Sequence, residues 1–396
     1  MATAPTFLGI PPELRWAIYD VYLAEHQRVR QNSQPTNHHL RVLHTCRQIN
    51  REARPLFQRY ISLRHERQIN AFILRADESQ AAAVLWADVA NDGRVLSTDN
   101  KGQQASPLSN LHLALRRMPS VQRLRVFPCR QGLPLLGSNA ARLAIKFEVA
   151  MYPNGSGHQL SSYELYLDPE TRAFPFEVLS PRRVRNLRLS GECRLPSSTL
   201  TPALRHVTLN AITGNYFDQH PVDECFRGSH LESFSYGLGH RLGFELRDRH
   251  LESLISLSGG QLRKLILLGC SRLSSKAIAD CLDGLPLLEY FALSLITVHE
   301  LRTNFVLSLS SSVSVVKLQV INAWYAIPLL DEERSLCDAL ENTVLARTTP
   351  PRQICVNFRD QLMVEEGRRQ RWGELADNRH FELTVGRWEN ADTEEF

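Results

Sequence analysis

Apolar residues along this chain keep two alternating rhythms, and residues 262–293 show both most regularly. Leu262, Leu265 and Leu267 follow an apolar-x-x-apolar-x-apolar phrase, with Cys270 and Leu273 behind it. A polar turn at Ser274 and Ser275 comes next, then Ile278, Leu282 and Leu285 at helical spacing. After Pro286 the phrase returns as Leu288, Phe291 and Leu293. A strand, a turn, an amphipathic helix and the same strand again form one supersecondary unit, which predicts stacked copies.

Starts of the phrase fall near Val121, Arg142, Ser162, Val184, Leu204, Leu231, Leu262, Leu288, Val315, Pro351 and Asn378, at intervals of 21, 20, 22, 20, 27, 31, 26, 27, 36 and 27 residues. Eight of the ten fit a repeat of about 20 to 29 residues, and two carry insertions. Upstream, the pattern predicts strands at 61–63 and 84–89 and helices at 66–75 and 108–118; downstream it predicts helices at 331–345 and 362–375. Residues 262–293 resemble a leucine-rich repeat of the cysteine-containing kind. That resemblance implies an α/β fold over residues 61–396, a solenoid horseshoe whose curved parallel sheet presents a concave face.

The first sixty residues keep only the helical rhythm. Leu14, Ile18, Val21 and Tyr22 share one face of a helix led in by Pro11, Pro12 and Glu13. Polar residues 24–39 read as a loop, and Leu40, Leu43, Cys46, Ile49, Ala53 and Phe57 form a second helical stripe interrupted near Pro55. The pair FLGIPPELRWAIYDVYL and LRVLHTCRQINREARPLF resembles an F-box of the type common in fungal proteins, which makes residues 1–60 a helical module. The resemblance implies docking to the Skp-type adaptor of a cullin–RING ubiquitin ligase. Ile10, Pro11, Glu13, Leu14, Ile18 and Leu23 would form the adaptor-facing surface, with Leu43 and Cys46 supporting it.

Side-chain alternation along the strands then picks out the positions that face away from the core. They include Arg123, Arg125, Lys146, Tyr166, Arg188, His206, Lys264, Tyr290 and Lys317. Across all such positions six are permanently basic and two, Glu164 and Glu382, are acidic. That bias predicts a target that is an acidic or phosphorylated protein segment, held by arginine forks and tyrosine stacking. Solvated strand positions with no shared ligand explain the same residues equally well.

Composition changes this picture little. The net charge of +4 over 396 residues makes no case for nucleic acid, and no apolar run approaches the roughly 20 residues of a membrane span. The N-terminus lacks the pattern of a secretory signal, and eight cysteines without a C-x-x-C spacing suit a reduced cytoplasmic or nuclear protein. His38, His39, His44 and Cys46 lie close in sequence but lack the spacing of a metal site. No phosphate-cradling glycine loop, nucleophile elbow or dinucleotide fingerprint occurs, so neither a catalytic residue nor a cofactor is expected. The two resemblances together imply the substrate-recognition subunit of a ubiquitin ligase. A stand-alone repeat scaffold whose N-terminal helices serve only as a cap is the alternative.

Overall fold

Pro12 opens the first helix, α1 (Pro12–Gln27), where its missing N–H leaves no bond unmade. The computed structural model describes residues 7–91, 94–96, 106–128, 143–145, 147–169, 171–197, 199–237, 243–297, 301–322 and 329–388. The chain divides into two compact units, residues 1–181 and 182–396.

In the first unit a 3-10 turn (His38–His44) leads into α2 (Arg47–Phe57), which runs through Pro55 rather than stopping there. The half-buried thiol of Cys46 caps α2, accepting the Ile49 N–H at 3.4 Å. Then follow β1 (Tyr60–Leu63), α3 (Glu66–Arg75), α4 (Glu78–Ala82), β2 (Trp86–Ala90), β3 (Arg94–Leu96) and β4 (Ser106–Pro107). After them come α5 (Leu111–Arg116), β5 (Arg123–Phe127), β6 (Leu143–Ile145), α6 (Phe147–Met151), β7 (Ser162–Leu165) and the two-residue β8 (Arg172–Ala173). Strands β1, β2, β5 and β7 pair in that order, all parallel, with Tyr60, Trp86, Arg123 and Ser162 side by side.

Two expectations change here. The phrase near Arg142 does not join the parallel sheet: β6 pairs antiparallel with β3, which also pairs antiparallel with β4. Because Ser162 aligns with Arg123, the phrase that ends in β7 starts at buried Leu160, two residues before the expected start.

The second unit strings together β9 (Asn186–Cys193), β10 (His206–Ile212), α7 (Tyr216–Gln219), α8 (Val222–Cys225), β11 (Ser233–Gly237), α9 (Asp248–Ser258), β12 (Lys264–Cys270) and α10 (Ser275–Asp283). It continues with β13 (Tyr290–Thr297), β14 (Val315–Asn322), α11 (Leu330–Ala339), β15 (Gln353–Asn357), α12 (Arg368–Arg379) and β16 (Glu382–Val385). Every strand pairs in parallel with its neighbours in sequence. Asn186, His206, Ser233, Lys264, Tyr290, Val315, Gln353 and Glu382 make one row, which sets strand-to-strand intervals of 20, 27, 31, 26, 25, 38 and 29 residues.

This row moves two more starts by two residues, from Val315 to buried Val313 and from Asn378 to His380. A slip of two preserves which side chains face which way, so the apolar positions of these strands keep the expected face. Leu265 and Leu267, Phe291 and Leu293, Val316 and Leu318, and Ile354 and Val356 are all buried on one face. The intervening helices bury Leu251, Leu254, Ile278, Leu282, Leu336 and Trp372, the apolar layer that a parallel sheet requires. Residues 331–345 bend from α11 into a π-turn at Leu340. The helix expected over 362–375 is broken at Gly367, whose φ of 69° only glycine adopts without strain. Gly259 lets α9 end against α10, since a Cβ there would lie 2.9 Å from the Gly284 carbonyl oxygen. Cys270 and Cys281 are buried, and burial pushes the Cys281 thiol up to about 12.

Candidate functional site

Helix α1 turns its polar-looking side inward. Arg15, Tyr19, Leu23 and Gln27 recur every four residues and are buried. The Arg15 guanidinium donates from Nε to Glu52 Oε2 at 2.9 Å and from Nη2 to Oε1 at 2.6 Å. Its Nη1 donates to the carbonyls of Leu8, at 3.1 Å, and of Ile10. Tyr19 Oη adds a hydrogen bond to Glu52 at 3.2 Å. The hydrogen bond from Arg15, then that from Gln48, hold the Glu52 carboxyl at about 2, well below the usual carboxylate range. One arginine therefore ties residues 8–10, α1 and α2 together. Behind it Tyr19, Leu23, Leu43, Ala53, Phe57 and Tyr60 form the core of the helical module.

With that side occupied, the stripe predicted from the sequence lies outside. Leu14, Ile18 and Val21 are 56%, 44% and 70% exposed, and Leu8 and Tyr22 are exposed beside them. Single exposed aliphatics are ordinary, but a contiguous row along a helix is a mark of an interaction surface. Pro11 and Glu13 are exposed at the start of the row and Ile10 is half-buried. Leu23, expected on this surface, is only 4% exposed and belongs to the core, as does Leu43. Val21, Tyr22 and Leu8 were missed as site residues. The helical spacing of Val21 and Tyr22 already placed them on the row.

The strand positions expected to face a partner are less open than alternation alone suggests. In the first unit the polar segment after α1 lies against them. Arg125 donates from Nε to Asp88 Oδ1 at 2.6 Å and from Nη2 to Oδ2 at 2.7 Å, and from Nη2 also to the Gln27 carbonyl at 2.8 Å. Tyr60 Oη donates to the same Asp88 carboxylate at 2.6 Å. Burial pushes the Tyr60 phenol far above its ordinary range, with the Asp88 charge adding to it, so the phenol keeps its proton. Gln34 donates to Ser62 Oγ and to the Asp88 carbonyl. Asn37 both donates to the Ser62 carbonyl, at 2.7 Å, and accepts its N–H, at 2.8 Å. A side-chain amide thus satisfies the backbone of edge strand β1. Arg125 is a structural clamp, buried and used.

The neighbours of Arg125 are also engaged. Arg123 pairs with Glu164 at 2.8 Å and lies over the Trp86 ring. Glu164 also accepts from Ser162 and from Tyr166, whose ring stacks on Phe127 at 4.8 Å. Lys146 lies outside the described residues.

In the second unit Arg188 is buried and His206 is half-buried. Lys264 and Lys317 flank the ring of half-buried Tyr290, with Nζ at 4.9 and 5.5 Å from its centroid. Lys317 is nonetheless only 4% exposed. Past β16 the chain turns at Gly386 and lays Trp388 among Ile266, Leu268, Ala292 and Cys355, all on the face opposite the helices, with Tyr290 at the border. The indole is 5% exposed and its Nε1 donates to the Leu318 carbonyl at 3.3 Å. No periodicity announces this residue; a tryptophan in the charged stretch after the last strand was the only signal.

Among the described residues no helix is long and apolar enough to cross a membrane. No cluster of side chains suited to a metal ion occurs among them, and His38, His39, His44 and Cys46 do not converge. The chain matches no family model and no curated protein.

Proposed function

We propose that this chain is a substrate-recognition subunit of a cullin–RING ubiquitin ligase, an F-box protein with leucine-rich repeats, and that the outer row of α1 docks the Skp-type adaptor. One observation carries the reading: α1 buries Arg15 in an ion pair and leaves Leu14, Ile18 and Val21 in solvent. Burying a large aliphatic side chain is worth about 1.5–3 kcal/mol, so three in a row supply the core of a stable interface. The Arg15 clamp holds Leu8 to Ile10 beside that row, and so presents one preformed surface. Strands that each pair in parallel with their sequence neighbours support the repeat reading of the second unit.

In this role no residue of the chain reacts. The protein holds a target near a ubiquitin donor carried by other subunits, and the rate gain is proximity. Half-buried His206, Lys264 and Tyr290 are the predicted target-facing side chains left accessible in the second unit.

Gln34, Asn37 and Arg125, which join the segment after α1 to the sheet, favour a second reading in which the N-terminal helices cap the strands. Co-elution with a purified Skp-type adaptor separates the two. The first reading expects a stable complex with the wild type and none with Leu14→Glu and Ile18→Glu combined. Absence of a wild-type complex leaves the cap.

A further inference from the structure

Arg47, Arg51 and Arg54 recur at i, i+4 and i+7 along α2, and Arg59 follows where the helix ends. All four are exposed and line an open groove of about 1260 Å3. Its other wall comes from α4 and the approach to β2, with Ala82, Ala83 and Leu85 facing Leu43 and Pro55. Like charges at these helical spacings repel, so α2 carries a standing penalty.

Among the described residues the Asp77 carboxylate offsets that penalty weakly, at Arg54, without forming an ion pair. None of the four guanidinium groups is ion-paired among the described residues. Glu52, on the same helix, is committed to Arg15. Asp77, at the start of α4, accepts from the Gln80 N–H and the Ser79 hydroxyl. Elsewhere the chain pairs its arginines freely, as at Arg263 with Glu289, Arg334 with Glu366 and Arg359 with Glu333.

We propose that this groove is a docking site for an acidic segment of a partner protein, one with an aliphatic side chain among its carboxylates. The arginine rim matches carboxylates through fork geometry, and the aliphatic floor matches the apolar residue. Single-stranded nucleic acid fits less well, because no Phe, Tyr or Trp lines the groove to stack a base. None of Leu14, Ile18 and Val21 lines it, although Leu43 and Cys46, which the F-box resemblance places behind the adaptor-facing surface, do.

The test is fluorescence anisotropy on the full chain, using a labelled peptide of about twelve Glu and Asp residues interrupted by two leucines. Saturable binding is expected. Arg51→Glu with Arg54→Glu should weaken it at least about tenfold, and replacing the leucines by serine should weaken it measurably. The control pair Arg67→Glu with Arg75→Glu, exposed on α3, should leave it unchanged. Thermal melts check that each variant folds; should the glutamate pair fail, Arg51→Gln with Arg54→Gln takes its place. The proposal is overturned by no saturable binding to the wild type or by an equal loss in the control pair. Tighter binding of an oligothymidine than of the peptide would also overturn it.

Discussion

His39 is fully buried, with the rings of Phe57, Tyr60 and His26 at centroid distances of 5.2 to 5.7 Å. Burial first, and the neighbouring His26 second, lower its pKa from 6.5 to about 4. The unfolded chain takes up this proton near pH 6.5 and the folded chain only near pH 4, so acid favours unfolding between those values. The stability lost across that window is on the order of 3 kcal/mol. Urea midpoints measured from pH 7 to pH 4 should fall, and His39→Leu should flatten the decline; an identical pH profile in the variant contradicts this. Arg125 makes a second prediction. Arg125→Ala leaves the Asp88 carboxylate buried and unpaired, and should cost about 3–5 kcal/mol, whereas replacing both residues by leucine should cost less. Equal losses in urea denaturation would show that the pair matters only for its packing. Both histidine and clamp were visible in the sequence as residue types but not as roles. His39 sat in a segment read as loop, and Arg125 occupied a strand position that alternation assigns to solvent.

Elements were legible where packing obeys a single period. Helix α3 occupies the predicted residues 66–75, and the rows of the second unit keep the predicted faces despite slips of two. The phrase near Arg142 failed because a short apolar alternation does not say which sheet it joins. Its strand pairs antiparallel with β3 instead. Covering segments were illegible for another reason: a face that alternates like a solvated one can be covered by a stretch with no period at all. Trp388 is the case in point, and it gives the prediction at this scale. Cys355 is buried beside the indole, so Trp388→Ala should markedly speed modification of Cys355 by a thiol reagent, read by peptide mass spectrometry. A large-to-small change at a buried tryptophan should also cost about 3–5 kcal/mol. Unchanged Cys355 labelling would mean that the tryptophan does not cover this face in solution.

For the whole molecule, the two helical faces of the N-terminal module divide the work. The inward one, Arg15, Tyr19 and Leu23, fastens α1 to α2 and leads through Gln27, Gln34 and Asn37 into the strands of the first unit. The outward one, Leu14, Ile18 and Val21, has no described partner in the chain. Periodicity alone showed the stripe but not its side, because an apolar row at helical spacing ordinarily marks a core; the F-box resemblance is what put Leu14 and Ile18 on an adaptor-facing surface. The buried Arg15–Glu52 pair, joining residues 37 apart, gives the physical reason for their exposure. Hydrogen exchange of the full chain with and without the Skp-type adaptor tests the role of this outer row most directly. Adaptor-induced protection should concentrate in residues 8–22 and disappear in the Leu14→Glu, Ile18→Glu variant. Protection confined to the strands, or none at all in residues 8–22, would contradict it.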